Sequence, residues 1–499
     1  MDAPGQHLPL KQPFWDSAPP PRNQALNSKT FCPPPLDGTL TLPEIYDWHR
    51  EHSPHHRIFT YAREDGSIRN ITYSEIAPAI YRATRLISIL STSETVSFFT
   101  TQLGIMRGNF VPFPISPRNS AIAVAHLIAQ AKVRHVLVGE DGTTRGLLEA
   151  ALDLLRTKYA STRIPDVSSM LIFDQLFSNL STTDDGKDLP VLRRNPTEVA
   201  LYLHSSGSTS QFPKLIPWSV RRMIELFLLP YFGERDLMAN YCAVLPAGCG
   251  AVLACFEPQS PPVIPTADNL AAASRMTGSD FIFSVPSFVE EWSHQPESRR
   301  WLATRSGVIV GGGTLNKECG HKLVSEGIAL LNIYGMTEAG VVNPYLPKRS
   351  LGYDWDYFEF AKNVKPELIP QGDGTFELVL VTTLFNNPSI LNTKIRGEDC
   401  ICYIRLGDTP SHEGRLMESI WATNPGPLES ILNQDPHVQT SVFFGRERFQ
   451  AGLLIQPVKE WQFDPELDQG RVSDFRNKIW PTVERMNEFA PQHSRIFKE

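Results

Sequence analysis

HSSGSTSQFPK, residues 204–214, follows directly on the apolar run ALYL, so the chain leaves a strand and enters a stretch of hydroxyls, one glycine and one lysine. Small residues let backbone N–H groups approach phosphate oxygens. Here Gly207 gives that close approach, and Ser205, Ser206, Ser208 and Thr209 add hydroxyl donors. Lys214 adds a point charge suited to β and γ phosphates, and His204 stands at the mouth of the stretch. The spacing is not that of a Walker A loop, and a Ser/Thr/Gly surface turn would also explain the string. What surrounds it therefore decides the fold.

The alternation of strand, motif and helix recurs along the chain. Before the loop, NFVPFPIS reads as a strand, SAIAVAHLIAQAKV as a helix and RHVLVGED as a strand. After it, VRRMIELFLLPYF is helical, and DFIFSVPS, GVIVGGG and ALLNIYGMTEAG each begin with an apolar, β-branched run. This is the pattern of an α/β fold with parallel sheets and flanking helices. Upstream, TLPEIYDWHREH and TYSEIAPAIYRATRLISIL each place a threonine three residues before a glutamate, which predicts two capped helices. FELVLVTT, residues 376–383, alternates like an antiparallel strand. Residues 1–40 are proline-rich and read as a flexible arm, 41–399 as the large lobe, and 422–499, with a helix over 471–488, as a small α+β lobe.

With 499 residues the chain is long enough for two or three lobes, and its net charge of -7 gives no reason to expect a nucleic acid partner. Its seven cysteines have no CxxC or Cys/His ligand spacing, which fits a reducing compartment. The N-terminal stretch lacks a basic region followed by an apolar run, and the uncharged stretch at residues 242–256 is too short and too interrupted by proline and glycine to span a bilayer. These features read as a soluble cytoplasmic protein with no membrane partner.

Two further stretches carry candidate chemistry. NIYGMTE, residues 332–338, places Asn332, Ile333 and Tyr334 before Thr337 and Glu338, so an aromatic ring, a hydroxyl and a carboxylate fall within five residues. A tyrosine can stack on a base, a threonine can bond a phosphate and a glutamate can hold magnesium. Taken alone, the stretch is also an ordinary strand-to-helix turn. Gly311-Gly312-Gly313 ends GVIV and would let a flat ligand approach the backbone, although a bare glycine turn fits equally.

SSGST…PK, a GGG strand end and YGxTE, in that order and each after a strand, resemble the adenylate-forming superfamily of acyl-CoA synthetases, luciferases and nonribosomal peptide synthetase adenylation domains. The phrases FPISPRNSAIAVAHL, ACFEPQSPPVIPT, SVPSFVE, LNTKIRGED and NPGPLESILNQDPHVQ are similar to the adenylation domain of fungal adenylate-forming reductases, over most of residues 40–499. The resemblance implies attack of a carboxylate on the α-phosphate of ATP, with ATP and magnesium required, and a carrier protein in trans as a further partner. It assigns Ser205 to Thr209 and Lys214 to the phosphates, Asn332 to Tyr334 to the adenine pocket, Thr337 to the α-phosphate and Glu338 to magnesium. His204 would reach the same site. Phe283, Val285 and Pro286 read equally as acyl-pocket lining or as strand core.

The chain departs from the family pattern at four places. Ser210-Gln211-Phe212 lengthens the phosphate loop, and one extra residue can displace Lys214 by about 3.5 Å. Residues 235–251 hold no histidine where an aromatic-rich, histidine-bearing segment is expected. CICYIRLGDTPSHEGRLMESIW, residues 400–421, stands where a YATSDL-type segment and a hinge are expected. It can be encoded by codons that, read one nucleotide later, give AYATSDLVTPHPTKAGLWRVFG. The stretch therefore reads as frameshifted or mis-spliced, with return to frame at Thr423-Asn424-Pro425 and with Asp408 in an accidental LGD triplet. Finally, HSRIFKE closes the sequence before the small-lobe segment that supplies a lysine in relatives, and Lys498 does not match it. Three readings follow: an adenylating enzyme, a nucleotide-binding pseudoenzyme, or a truncated gene product.

Overall fold

The computed structural model describes residues 13–14, 23–83, 89–90, 93–159, 161–178, 191–205, 213–233, 235–236, 246–313, 315–344, 346, 351–370, 376–395, 397–406, 416–417, 425–444, 452–465, 468–489 and 496. The two helices read from Thr-x-x-Glu spacing run over Leu42–His52 and Tyr73–Ala83. In each, the glutamate carboxylate turns back to accept the threonine backbone N–H: Glu44 from Thr41 at 2.8 Å and Glu75 from Thr72 at 2.9 Å. That bond satisfies an N–H at the helix start and so fixes where each helix begins.

GVIVG shows why the large lobe is built on parallel sheets. All five residues of strand Gly307–Gly311 are buried, without in-out alternation. That burial suits a central parallel strand covered on both faces. It pairs in parallel with Phe281–Ser284 on one side and Leu330–Ile333 on the other. A second parallel sheet orders Ile89–Leu90, His135–Val138 and Asp166–Ser169 side by side. Helices Ala121–Ala131 and Gly142–Lys158 belong to this second unit, and Val124, Leu127, Ile128, Leu148 and Leu155 close its core beside Val136 and Val138.

NFVPFPIS, expected as a strand, is not one: residues 110–113 carry no strand assignment and Pro114 makes only an isolated bridge. Pro112 and Pro114 each lack the N–H a ladder needs. The proline-rich stretch 23–40 likewise differs from a flexible arm. Ala25, Phe31 and Leu36 are buried in the same core as Ile45, Tyr46, Phe59 and Tyr73. Gln24 donates to the carbonyls of Pro230 and Arg235, at 3.0 and 2.9 Å. Proline content set the reading, but a few apolar anchors and one buried amide hold the segment down.

Strand Phe376–Val381 is antiparallel, as its alternation indicates, and lies between Lys365–Pro370 and Glu398–Leu406. Residues 400–406, which open the stretch that departs from the family, therefore keep strand form, and Cys400 is fully buried. Asp408 and the rest of 407–415 lie outside the described residues. In the C-terminal portion, helices Pro425–Asn433 and Gln469–Phe489 and the antiparallel pair Val438–Phe444 and Gly452–Pro457 enclose a separate core of Leu428, Leu432, Phe475, Ile479, Val483 and Met486. No described helix is long and apolar enough to cross a membrane.

Candidate functional site

Strands Val199–His204 and Leu215–Ser219 form an antiparallel hairpin whose connection is the quoted loop. Its root is closed by the Ser205 N–H donating to the Lys214 carbonyl at 3.1 Å. Ser205 and Lys214 thus stand opposite each other, with the Lys214 side chain exposed. Ser206, Gly207, Ser208, Thr209 and the lengthened turn Ser210-Gln211-Phe212 lie outside the described residues. His204 is half-buried, and its Nε2 accepts the Ser116 backbone N–H at 3.1 Å. Burial holds the His204 ring below its ordinary pKa, so at neutral pH it is an uncharged acceptor rather than a cation for phosphate.

The second motif leaves the sheet at the end of Leu330–Ile333. Asn332 is buried, its side-chain amide donating to the Trp355 carbonyl at 2.8 Å, and Ile333 belongs to an apolar core. Their side chains are thereby committed to the interior. Tyr334 is partly exposed and stacks on Phe358 with ring centroids 5.1 Å apart, so of the three it has the face best placed toward a flat ligand. Asn343 braces this bend by accepting the Tyr334 N–H at 2.9 Å and donating to the Asn332 carbonyl at 2.7 Å. Thr337 is half-buried and Glu338 buried.

One bond joins the two motifs: the Trp218 indole N–H donates to the Thr337 carbonyl at 2.9 Å. Trp218 lies on the strand that leaves the loop, four residues after Lys214, so the phosphate-loop hairpin and the Thr337–Glu338 turn are in direct contact. The glycine run borders the same sheet end. Gly312 has φ +81 and open space where a Cβ would stand, which only glycine occupies without strain. Phe283 and Pro286 flank Gly311 and Gly313. Phe283 and Val285 are 39% and 43% exposed, so they are not strand core.

Among the described residues no group of three or more His, Cys, Asp or Glu side chains could hold a metal ion, so Glu338 is not part of an all-protein cage there. That suits magnesium, which takes one or two protein carboxylates and completes its shell from phosphate oxygens and water. A cavity of about 460 Å³, lined by Glu94, Ser97, Glu140, Phe173 and Pro258, lies at the end of the 89–169 sheet and includes none of the motif residues.

Beside the histidine-free stretch, three side chains tether residues 247–250. His49 Nε2, His56 Nε2 and the Tyr231 hydroxyl donate to the carbonyls of Ala247, Gly250 and Gly248, at 2.7, 2.9 and 2.8 Å. Burial pushes His49 down to about 3 and lowers His56, so both remain neutral when folded. The unfolded chain takes up protons below about pH 6.5 that these rings refuse, so stability falls as the pH drops from about 6.5 towards the folded pKa. His49 alone steepens the loss by up to about 1.4 kcal/mol per pH unit. We expect thermal melts from pH 7.5 to 5.0 to show His49→Gln losing less stability than wild type; parallel losses would refute the assignment.

A parallel α/β lobe with a phosphate-type hairpin braced against a YGxTE turn defines the adenylate-forming class. The chain belongs to the AMP-binding enzyme family: the model of that family matches residues 87–357, and that of the AMP-binding enzyme C-terminal domain matches 421–499. Within the class it is related to fungal adenylate-forming reductases. Nps10 of Heterobasidion annosum is 41% identical over 532 aligned residues, covering 96% of this chain and 48% of the relative. Nps11 of Serpula lacrymans is 30% identical, covering 95% and 47%. The chain therefore spans about half the length of the curated relatives it matches. The Nps10 alignment is also longer than this 499-residue chain, so the relative carries internal stretches that this chain lacks. Among solved structures, anthranilate CoA ligase AuaEII in complex with anthranoyl-AMP superposes with a TM-score of 0.62 at 13% identity, over 91% of this chain and 92% of that one. NpsA-ThdA, a fused adenylation-PCP di-domain from Klebsiella oxytoca, gives 0.56 at 16% identity, over 84% and 89%.

Proposed function

We propose that the chain activates a small carboxylic acid with ATP. A carboxylate oxygen of the acid attacks the α-phosphorus, the bond from that phosphorus to the oxygen bridging the β-phosphate breaks, and pyrophosphate leaves with the bonding electrons, giving an acyl-adenylate. The observation that carries this reading is the Trp218–Thr337 bond, which ties the backbone of the Thr337–Glu338 turn to the strand that follows Lys214. In this reading Ser205 to Thr209 and Lys214 hold the β and γ phosphates, Thr337 donates to the α-phosphate, Tyr334 packs on adenine with backbone approach at Gly312, and Glu338 holds magnesium. His204, neutral, orders the loop mouth through Ser116 rather than meeting phosphate as a cation. Magnesium supplies charge neutralisation on the phosphates when bound.

We further propose a division into a large lobe, 41–399, and a C-terminal lobe, 422–499, separated by the stretch at 400–421. The acyl group would pass to the thiol of a carrier protein in trans: the sulfur bonds the acyl carbon, the bond from that carbon to the AMP phosphate oxygen breaks, AMP leaves and the thiol proton goes to solvent. Pairing of an adenylation domain with a carrier is supported by the adenylation-PCP fusion. ATP–pyrophosphate exchange across aryl, α-keto and amino-dicarboxylic acids tests the reading, with nucleotide binding measured by calorimetry on the same sample. Acid-dependent exchange is the expected result and names the substrate class. Binding without exchange would support the pseudoenzyme reading, which the departure from the family pattern read at residues 400–421 favours.

A further inference from the structure

The turn carrying Thr337 and Glu338 has three consecutive backbone carbonyls, and each is held by a donor from a distant part of the chain. The Trp218 indole donates to the Thr337 carbonyl at 2.9 Å, the Ser389 N–H donates to the Glu338 carbonyl at 2.6 Å, and Arg222 Nη2 donates to the Ala339 carbonyl. A peptide plane whose carbonyl is bonded cannot rotate without breaking that bond, so the backbone from which the Thr337 and Glu338 side chains spring is held in place before any ligand arrives.

Two of the three donors come from a strand and the helix that directly follows it. Trp218 is on Leu215–Ser219 and Arg222 on helix Val220–Leu228, four and eight residues after Lys214. The strand that closes the phosphate hairpin thus runs straight into the clamp on the turn. Arg222 is itself fixed: Nη1 donates to Asn386 Oδ1 at 2.9 Å and to Glu225 at 3.2 Å, and its guanidinium lies 5.5 Å from the Trp218 ring centroid. Gly340, at φ +70, completes the arrangement, since a Cβ there would overlap Arg222 Nη2. Ser389 reaches the turn from the far side and follows the Asn386 and Asn387 that hold the Arg222–Glu225 pair.

We propose that Trp218 and Arg222 are positioning residues: they hold the Thr337–Glu338 turn at a fixed place relative to strand Leu215–Ser219 and helix Val220–Leu228, so that the Thr337 hydroxyl and Glu338 carboxylate are carried on a backbone that does not shift during the reaction. The inference rests on the adenylation reading. It requires that weakening the clamp harm the chemical step more than substrate binding, because groups held in the productive geometry act chiefly in the transition state.

Trp218→Phe keeps an apolar ring and removes the N–H to Thr337 together with part of the indole's volume. At a temperature where both proteins are fully folded, we expect the exchange kcat to fall about tenfold, with the KM for acid unchanged and ATP affinity about threefold weaker. Gly340→Ala, which displaces Arg222 from the Ala339 carbonyl, should give the same pattern. Kinetic constants within twofold of wild type in both variants would overturn the proposal. So would a kcat loss matched by an equal rise in every KM, which indicates general loosening. If wild type exchanges no pyrophosphate, the adenylation reading fails, and AMP affinity then decides the clamp: weaker binding in Trp218→Phe sustains it and equal binding overturns it. Wild type that binds no nucleotide overturns both.

Discussion

Arg222→Met is expected to lower the unfolding free energy by about 3 kcal/mol, towards the lower end of the roughly 3–5 kcal/mol typical when one partner of a buried ion pair is removed. The Arg222 and Glu225 side chains are 2% and 1% exposed. Methionine fills much of the volume but leaves the Glu225 carboxylate in the interior with less compensation. The loss stays near the lower bound because Glu225 keeps other donors: Arg221 Nε at 3.1 Å, the Asn387 N–H at 2.9 Å and Asn387 Nδ2 at 2.6 Å. The double variant Arg222→Met/Glu225→Gln removes the stranded charge and should regain more than half of the lost stability. Denaturant midpoints measure both effects. A single-variant loss below about 1 kcal/mol would mean that the pair is no more than a surface-type contact.

This pair also marks the limit of what the sequence discloses. Thr41 with Glu44 and Thr72 with Glu75 are legible because the bonding groups are three residues apart and the motif is local. GVIVG is legible as a strand because burial on both faces leaves an unbroken apolar run, and ALYL because its four apolar residues stand together in sequence. The clamp is different in kind. Trp218 meets Thr337 across 119 residues and Arg222 meets Ala339 across 117, and no local pattern encodes either contact. The signal available was an anomaly in composition. In VRRMIELFL the residues Val220, Met223, Ile224, Phe227 and Leu228 form the buried face, and Arg222 with Glu225 at i,i+3 falls on it too. A charged pair on an apolar helix face calls for a partner elsewhere.

The misreadings have the same origin in longer-range packing. A proline count reads residues 23–40 as loose chain, yet Phe31 makes ring contacts with His49 and His56 at 4.8 and 5.0 Å, and those histidines hold residues 247–250. Asn332 and Ile333 stand in the motif that the resemblance assigns to the adenine pocket, and their side chains are buried: in a parallel strand alternate residues face opposite layers, and Asn332 bonds the Trp355 carbonyl while Ile333 packs in an apolar core. The motif locates the bend; the residues after the strand end, from Tyr334 to Glu338, are the ones the backbone turns outward or braces. Residues 400–406 show the converse: a segment read as departing from the family pattern still pairs along one edge with Phe376–Val381, and at Cys400 on both, because strand pairing depends on backbone bonds and a run of apolar and β-branched side chains more than on identity.

Thr337→Val and Glu338→Gln should have the largest effects on activity, each lowering pyrophosphate exchange by about 10²–10³-fold, the cost typical of removing one preorganised group from a developing charge. Both replacements are close to isosteric and leave the backbone carbonyls untouched, so Trp218, Ser389 and Arg222 still hold the turn in place. The loss can then be assigned to the hydroxyl and the carboxylate rather than to a collapsed turn. Thr337→Ser, which restores a hydroxyl, should recover most of the activity. AMP affinity should change far less than exchange, because AMP carries neither the pyrophosphate nor the charge that develops as it leaves. Exchange within threefold of wild type in both variants would remove this turn from the reaction and leave it as a brace for the hairpin alone. A fall in AMP affinity equal to the fall in exchange would instead make Thr337 and Glu338 ground-state ligands of the nucleotide, which is the behaviour expected of a protein that binds the nucleotide without acting on it.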